Sequence, residues 1–440
     1  MTTAAGKAPT SPRGDATAPA PASPWHHGRL MRFCAAVGFA NLGDGIALAA
    51  WAWTASLLTR DPLWIAVLPA ALRIPWVLFA LPSGILADRV DRRHLIVGCD
   101  LLRTAAYAIA GVAIFLHLPL SEPAGEGVGP SMLYPILLSI ALLIGCAEVT
   151  RDNAAQSMLP ALVPTGKLER ANGLLGSIEI VGNGMAGPAF GAFLVALFLP
   201  APFLVIAVAL LLAALLTASL SGQFRPATGQ APTAGWRAEL AAGFRFVAGH
   251  PTLRLLVVVT GVWCFLEEMA MIAIVLHLQE NLGVGAATYG LILAASAVGG
   301  IIGGLLIAPL LSVIPRGRLA QWIGFATPPA ILVIAFAPGP ITVAVAMFLD
   351  AMSGVIWNTL SIAYRQRIVP DEIRGRVNSV YRLFAWGMMP LGLVASGALV
   401  SVAETFLPRG DALIAPFLVA ATGLFVLVAL TRRAVGRAFR

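Results

Sequence analysis

Charged residues make up only 11% of this 440-residue sequence, against about a quarter in an ordinary soluble domain. Lysine is nearly missing, since Lys7 and Lys167 are the only two among 29 basic residues. Four cysteines occur (Cys34, Cys99, Cys146 and Cys264), each alone within an apolar stretch. With no CxxC pair and no His cluster at ligand spacing, neither a disulfide framework nor a metal centre is expected. There is no GxxxxGK[ST] phosphate loop, which argues against a pump fuelled by ATP within the chain. Nor is there an HExxH or a GxSxG, so two common hydrolase signatures are excluded. The expectation is a protein that is not an enzyme and needs no cofactor.

What is abundant is hydrophobicity, with 58% apolar residues and a mean hydropathy of +0.85. Uncharged runs long enough to cross a bilayer fall at 30–58, 63–87, 94–118, 132–150, 172–198 and 202–221. After a polar connection they resume at 254–279, 287–312, 318–337, 340–363, 376–402 and 412–431. This predicts an all-α membrane protein of 12 transmembrane helices in two six-helix bundles, 28–221 and 252–434. Residues 1–27, rich in Ala, Pro, Thr and Ser, read as a disordered tail, and 435–440 as a short basic tail. The run after residue 27 is too long for a signal-peptide core.

The formal charge of +8 could suggest a nucleic-acid partner, but its distribution points elsewhere. With both termini inside, the inner loops and ends carry 25 of the 29 Lys and Arg residues. The outer side has only Arg60 and Arg409, and Arg73 and Arg103 lie within spans. That is a positive-inside bias, which predicts cytoplasmic termini and no nucleic-acid binding. Within the connection 222–251, Trp236, Leu240, Phe244 and Val247 recur at helical spacing. They predict an amphipathic helix on the inner membrane surface joining the halves. Val163-Pro164 with Arg170 and Asn172 recurs as Val369-Pro370 with Arg376 and Asn378, at a constant offset of 206. Each copy follows the fourth span of its half, which points to duplication. Duplicated halves are typical of secondary transporters, which bind substrate between them near mid-membrane.

Ionisable residues inside a span are costly and call for an explanation. At about 1.5 Å per residue, Asp44 lies roughly 18 Å from the inner surface and Glu267 and Glu268 roughly 20 Å. Asp350 lies about 14 Å from the outside, and Arg73 about 15 Å deep, level with Asp44. Two readings of Asp44 and Arg73 stay open: an ion pair that holds two helices together, or a carboxylate that exchanges a proton when Arg73 or a substrate moves. Glu267 and Glu268 point about 100° apart, so only one is expected to face the cavity. Asn41, Trp357 and Asn358 are candidate cavity contacts. Asp100 and Arg103, three apart on one face, read as an intrahelical pair. Glu148 and Glu179, nearer the inner ends of their spans, read as part of a gate or a structural network. Gly299xxxGly303 and Gly300xxxGly304 overlap as close-packing motifs, and Gly187-Pro188 with Gly191 marks a bend in the fifth span.

The inner loop Gly84-Ile-Leu-Ala-Asp88-Arg89-Val-Asp91-Arg92-Arg93 resembles the signature loop of the major facilitator superfamily, with Asp91 where that signature usually has Gly. The resemblance implies a conformational gate: Gly84 allowing close contact, Asp88 facing the eleventh span, and Arg92 bridging to Asp152 or Glu148. Asn41-Leu-Gly-Asp44, Met158-Leu-Pro160, His250-Pro251 with Leu253-Arg254, and Arg374-Gly-Arg376-Val are similar to the branch of enterobactin exporters, macrolide-efflux proteins and Tap-type multidrug efflux pumps. Gly187-Pro188 with Gly191 is similar to an antiporter motif, although Asn183 and Ala192 stand where glycines are expected. The resemblance implies a proton-driven, monomeric exporter of small amphiphilic drugs in a bacterial cytoplasmic membrane. The alternatives are export of a siderophore or endogenous metabolite, and proton-symport import of a metabolite.

Overall fold

The structure, a computed structural model, describes residues 27–120, 132–164, 167–222, 224–225 and 236–439. The tail assigned to 1–27 lies almost wholly outside the described residues, as does much of the linker before Trp236. Leading from the first residues are α1 (His27–Leu58), α2 (Pro62–Leu78), α3 (Ala80–Arg89), α4 (Arg92–Leu116) and α5 (Leu133–Leu162). Next, α6 (Leu168–Glu179) passes through a π-helical stretch, Ile180–Ala186, into α7 (Gly187–Leu197), and α8 (Ala201–Ala218) closes the first half. The second half contains α9 (Trp236–Gly249), α10 (Pro251–Leu276), a π-helical end at His277–Asn281, α11 (Ala286–Val313), α12 (Arg316–Ile323) and α13 (Thr327–Ala335). It ends with α14 (Pro340–Ile368), α15 (Asp371–Ala403), the short α16 (Arg409–Ala412) and α17 (Ala415–Ala438).

Eleven of these segments are long and apolar enough to cross a membrane. The twelfth crossing is α2, only 17 residues long, continued by α3. Its break follows from Pro82 early in α3, which has no N–H to donate to the Leu78 carbonyl and whose ring crowds that carbonyl. The helix starts cleanly, with Asp61 accepting from the backbone N–H of Leu63 and Trp64 and Pro62 at the first position. Asp91 likewise caps α4, accepting from the N–H of Arg93 and His94. The residue that departs from the signature loop thus serves as a helix cap.

The two halves pack alike. In the first, α1 contacts α7 and α8, α4 contacts α5 and α8, and α2 contacts α5; in the second, α10 contacts α15 and α17, α13 contacts α14 and α17, and α11 contacts α14. Each pair in one half has its counterpart in the other. The halves meet through α2 against α15 and through α7 against α11, an exchange that preserves the same pseudo-twofold relation. With twelve crossings, the start of α1 and the end of α17 lie at the same end of the bundle, called here the near end.

Two expectations need correction, and a third gains detail. Helix α5 does not stop at 150 but continues to Leu162, so Glu148, Arg151 and Asp152 belong to a helix interior. Charge pairing described below lets that helix continue. The amphipathic α9 forms, and two of its apolar residues touch protein: Val247 is buried, and Phe244, which stays exposed, meets Phe384 of α15 edge-on. The side chains of Trp236 and Leu240 lie outside the described residues. Finally, the basic stretch from 435 is helical to Ala438 rather than a tail.

Candidate functional site

Asp44 on α1 does not pair with Arg73. Its carboxylate accepts a hydrogen bond from the guanidinium of Arg103 on α4, and both side chains are buried. This corrects the intrahelical reading of Arg103, whose contact with Asp100 is a looser 3.9 Å. Asp100 is fully buried and lies 3.4 Å from Arg151 on α5, which donates a 3.0 Å hydrogen bond to Asp152. Three helices thus contribute to one chain of alternating charge: Asp44, Arg103, Asp100, Arg151, Asp152. Glu148, one turn before Arg151, is buried beside Asp44 and Arg103, and Arg73 is its third charged neighbour.

Charged groups tolerate a membrane interior when they are paired within the bundle. That is why α5 runs on past Thr150 and why so polar a stretch can be buried. Sequence reasoning missed Arg151, because a polar quartet at 150–153 resembles a loop. The sign that could have found it is Val163-Pro164, which marks where the helix stops.

Besides Glu148 in its own half, Arg73 is a charged neighbour of Glu268 on α10 in the opposite half. Glu267 points within its own half, toward Asp350 on α14, with Trp263 and Thr327 adjacent. The adjacent glutamates thus differ in their neighbours: Glu268 has Arg73 of the opposite half as its charged neighbour, and Glu267 joins a carboxyl pair with Asp350. Both keep partial exposure, whereas Asp44 and Asp350 are buried.

Other candidates are placed differently from expectation. Asn41 donates to the carbonyl of Val37 in its own helix, 2.9 Å away, and packs against the π-helical stretch at Gly182. Trp357 does not face the charged cluster; it lines a separate cleft within the second half, near Phe439. Asn358 is exposed. Gly187 and Gly191 pack directly on Gly45 and Ile46 of α1, where any side chain would strike backbone. Pro188 opens α7 just after the π-helical stretch. At the near end, Asp152 accepts from Arg151, which takes the partner expected for Arg92. Arg93 donates a 2.7 Å hydrogen bond to the carbonyl of Leu220 at the end of α8, and Arg89 is exposed. The side chains of Gly84, Asp88 and Arg376 lie outside the described residues.

Two inter-half contacts were not foreseen. Arg382 of α15 stacks over Trp386 at 4.1 Å and over Trp76 of α2 at 5.4 Å, with Glu179 and Asp152 as its acidic neighbours. At the far end a latch closes. Arg409 donates to Glu280 and Glu404, both at 2.6 Å, and to the backbone carbonyl of Arg60. Arg60 donates to Gln279 at 2.9 Å, and Gln279 to Ser56 at 2.9 Å.

The described residues thus form two lobes related by pseudosymmetry, charged at mid-depth and latched at one end. The sequence profile of the family described as transmembrane secretion effector matches residues 20–435. The chain belongs to that family. It is 28% identical over 380 residues to the multidrug efflux pump Tap of Mycobacterium tuberculosis and of Mycobacterium bovis, covering 83% of this chain and 85% of Tap. Its fold matches a variant of the nucleoside transporter NupG with a TM-score of 0.69 at 14% identity, over 92% of this chain and 98% of that one. It also matches a bacterial homologue of the human lysosomal transporter Spinster in an inward-facing, occupied conformation (TM-score 0.69, 15% identity), over 95% of this chain and 98% of that one. The protein is therefore a multi-pass membrane transporter of the major facilitator type, and not an enzyme.

Proposed function

We propose that this transporter exports small amphiphilic compounds, drugs and antibiotics among them, in exchange for protons. The charge balance around Asp44 is the observation that carries the reading. Four carboxylates (Asp44, Asp100, Glu148 and Asp152) face three guanidiniums (Arg73, Arg103 and Arg151). Fully ionised, the cluster bears a formal −1 that one proton cancels. Residual charge in a dry interior is costly, so proton binding and release change the energy of the whole cluster. A proton on Asp44 removes its attraction for Arg103 and leaves that guanidinium to Asp100 and Glu148. A shift of Arg103 moves α4 relative to α1, and through Glu148 it alters Arg73, whose other neighbour, Glu268, lies in the opposite half. This is how one proton can bias the arrangement of two lobes.

In this reading 28–221 and 252–434 are the moving bundles, both termini are cytoplasmic, and the Arg409–Arg60 latch is the outer gate. The loop Gly84–Arg93, with Asp88 and Arg376, is the inner gate, and the π-helical stretch before Gly187, Pro188 and Gly191 is the hinge. The protein acts as a monomer in a bacterial cytoplasmic membrane, its only partners the lipid bilayer and the transported molecule. The likeness to Tap favours efflux as the direction.

The test uses everted membrane vesicles loaded by a proton gradient. Asp44→Asn is expected to reduce proton-dependent dye uptake at least about tenfold at unchanged protein level. Uptake equal to the wild type overturns the coupling role of Asp44. Accumulation of substrate by intact cells, with no gain in drug tolerance, overturns export.

A further inference from the structure

The seam between α2 and α15 holds an aromatic corner outside the chain of alternating charge. Trp76 of α2 and Trp386 of α15 meet edge to face, with ring centroids 4.3 Å apart and planes at 80°. The guanidinium of Arg382 reaches into this corner, 4.1 Å from the Trp386 ring and 5.4 Å from the Trp76 ring. Arg382 and Trp386 stand one turn apart on α15, so the cation and its ring share a face. Trp76 follows Arg73 by one turn of α2, about 4.5 Å closer to the near end. The corner therefore lies between the halves, just on the near side of Arg73 and Glu268.

Two features of the corner are not accounted for by packing. Trp76 is only 7% exposed, yet its indole N–H has no acceptor, and a buried donor without a partner is costly. Arg382 has Glu179 and Asp152 as acidic neighbours across the seam. Among the described residues, however, neither Arg382 nor Glu179 forms an ion pair. The guanidinium is held over ring faces instead, and the negative quadrupole of such faces attracts any cation. A neutral group of equal size gains only the apolar contact.

We propose that Trp76 and Trp386 bind the cationic group of a transported compound, and that Arg382 occupies their corner until that compound arrives. This rests on the export of amphiphilic compounds proposed above and narrows them to organic cations, ammonium compounds foremost, with a hydrogen-bond acceptor beside the charge. One cation replaces another. The incoming group takes the ring faces, its acceptor receives the Trp76 N–H, and the displaced Arg382 turns to Glu179. The guanidinium already fills the space that the head group takes, so the exchange needs no separate cavity. Arg382 belongs to the second half and Glu179 to the first, so the exchange closes an ion pair between the lobes. Substrate binding thereby alters the contact between α15 and the fifth crossing of the opposite half.

The probe is benzoylcholine, a permanent cation with an ester carbonyl near the charge; its neutral match carries tert-butyl in place of trimethylammonium. Binding to the full-length protein in detergent is read by calorimetry without any gradient, so it is independent of coupling and direction, which the vesicle assay reads. The wild type is expected to bind the cation at least about tenfold more tightly than the neutral ester. Arg382→Gln should bind it several-fold more tightly than the wild type, because the resident competitor is gone. A merely structural Arg382 would give no such gain. Arg382→Met, which keeps an apolar stem and drops the charge, should show the same gain. In the Arg382→Gln background, Trp386→Leu should lose about fivefold and Trp386→Phe should recover most of it. Trp322→Leu, at an exposed tryptophan beside Arg432, should change nothing. Equal binding of the two esters, no gain in either Arg382 variant, or equal losses in Trp386→Leu and Trp322→Leu would each overturn the proposal. Absence of benzoylcholine binding, with proton-dependent dye uptake intact in vesicles, would overturn the corner and leave export standing.

Discussion

Removing one partner of a buried ion pair strands the other charge, at a cost of about 3–5 kcal/mol. Asp44 and Arg103 are such a pair. Asp44→Asn and Arg103→Gln should each lower the unfolding temperature in detergent, and the double variant should lose clearly less than the sum of the two. Additive losses would mean the two side chains do not interact. The same cycle separates the adjacent glutamates. Glu268→Gln should be non-additive with Arg73→Gln in transport, while Glu267→Gln should be additive with Arg73→Gln, because Glu267 lies toward Asp350. Sequence spacing placed these acids at one depth. It could not choose partners, since a rise per residue gives height and says nothing about which neighbouring helix stands opposite.

Among elements, close packing on glycine explains how α11 meets α14. Gly299 and Gly303 lie on the backbone at Phe348 and Met352, so that a Cβ at either would collide with a carbonyl. At Gly304 a Cβ would make only an ordinary 3.9 Å contact with Val355. Gly299→Val should abolish monodisperse protein in size-exclusion chromatography, whereas Gly304→Val should behave as wild type. Both overlapping motifs are plain in the sequence; which one carries the seam depends on the rotation of α11, which side-chain packing sets. The length of α5 was hidden for a related reason. Read alone, Thr150 to Asn153 is a loop; beside Asp100 it is helix.

For the whole molecule, the far-end latch holds together the α1–α2 connection, the end of α10 and α16. Arg409→Gln removes donors to Glu280, Glu404 and the Arg60 carbonyl at once. In a cysteine-free background, a thiol introduced by Ser56→Cys should then react several-fold faster with a membrane-impermeant maleimide than it does with Arg409 intact. An unchanged rate would show that the latch does not limit opening. The topology has its own test: a reporter fused to either terminus should be active only if it folds in the cytoplasm.

Hydrophobic run length, proline and glycine placement, and the skewed basic residues determined from the sequence alone that this chain is a bundle of twelve crossings built from two related halves. Those signals are local or summed along the chain, and lipid makes them strict because every backbone polar group in a membrane must be satisfied within the protein. Tertiary structure alone decided that Asp44 meets Arg103 instead of Arg73, that Arg151 is buried, that Glu267 neighbours Asp350 while Glu268 neighbours Arg73, and that Trp357 walls a separate cleft. Each of these depends on the rotation of one helix against another, and a turn of 100° per residue makes that rotation a property of the packed bundle.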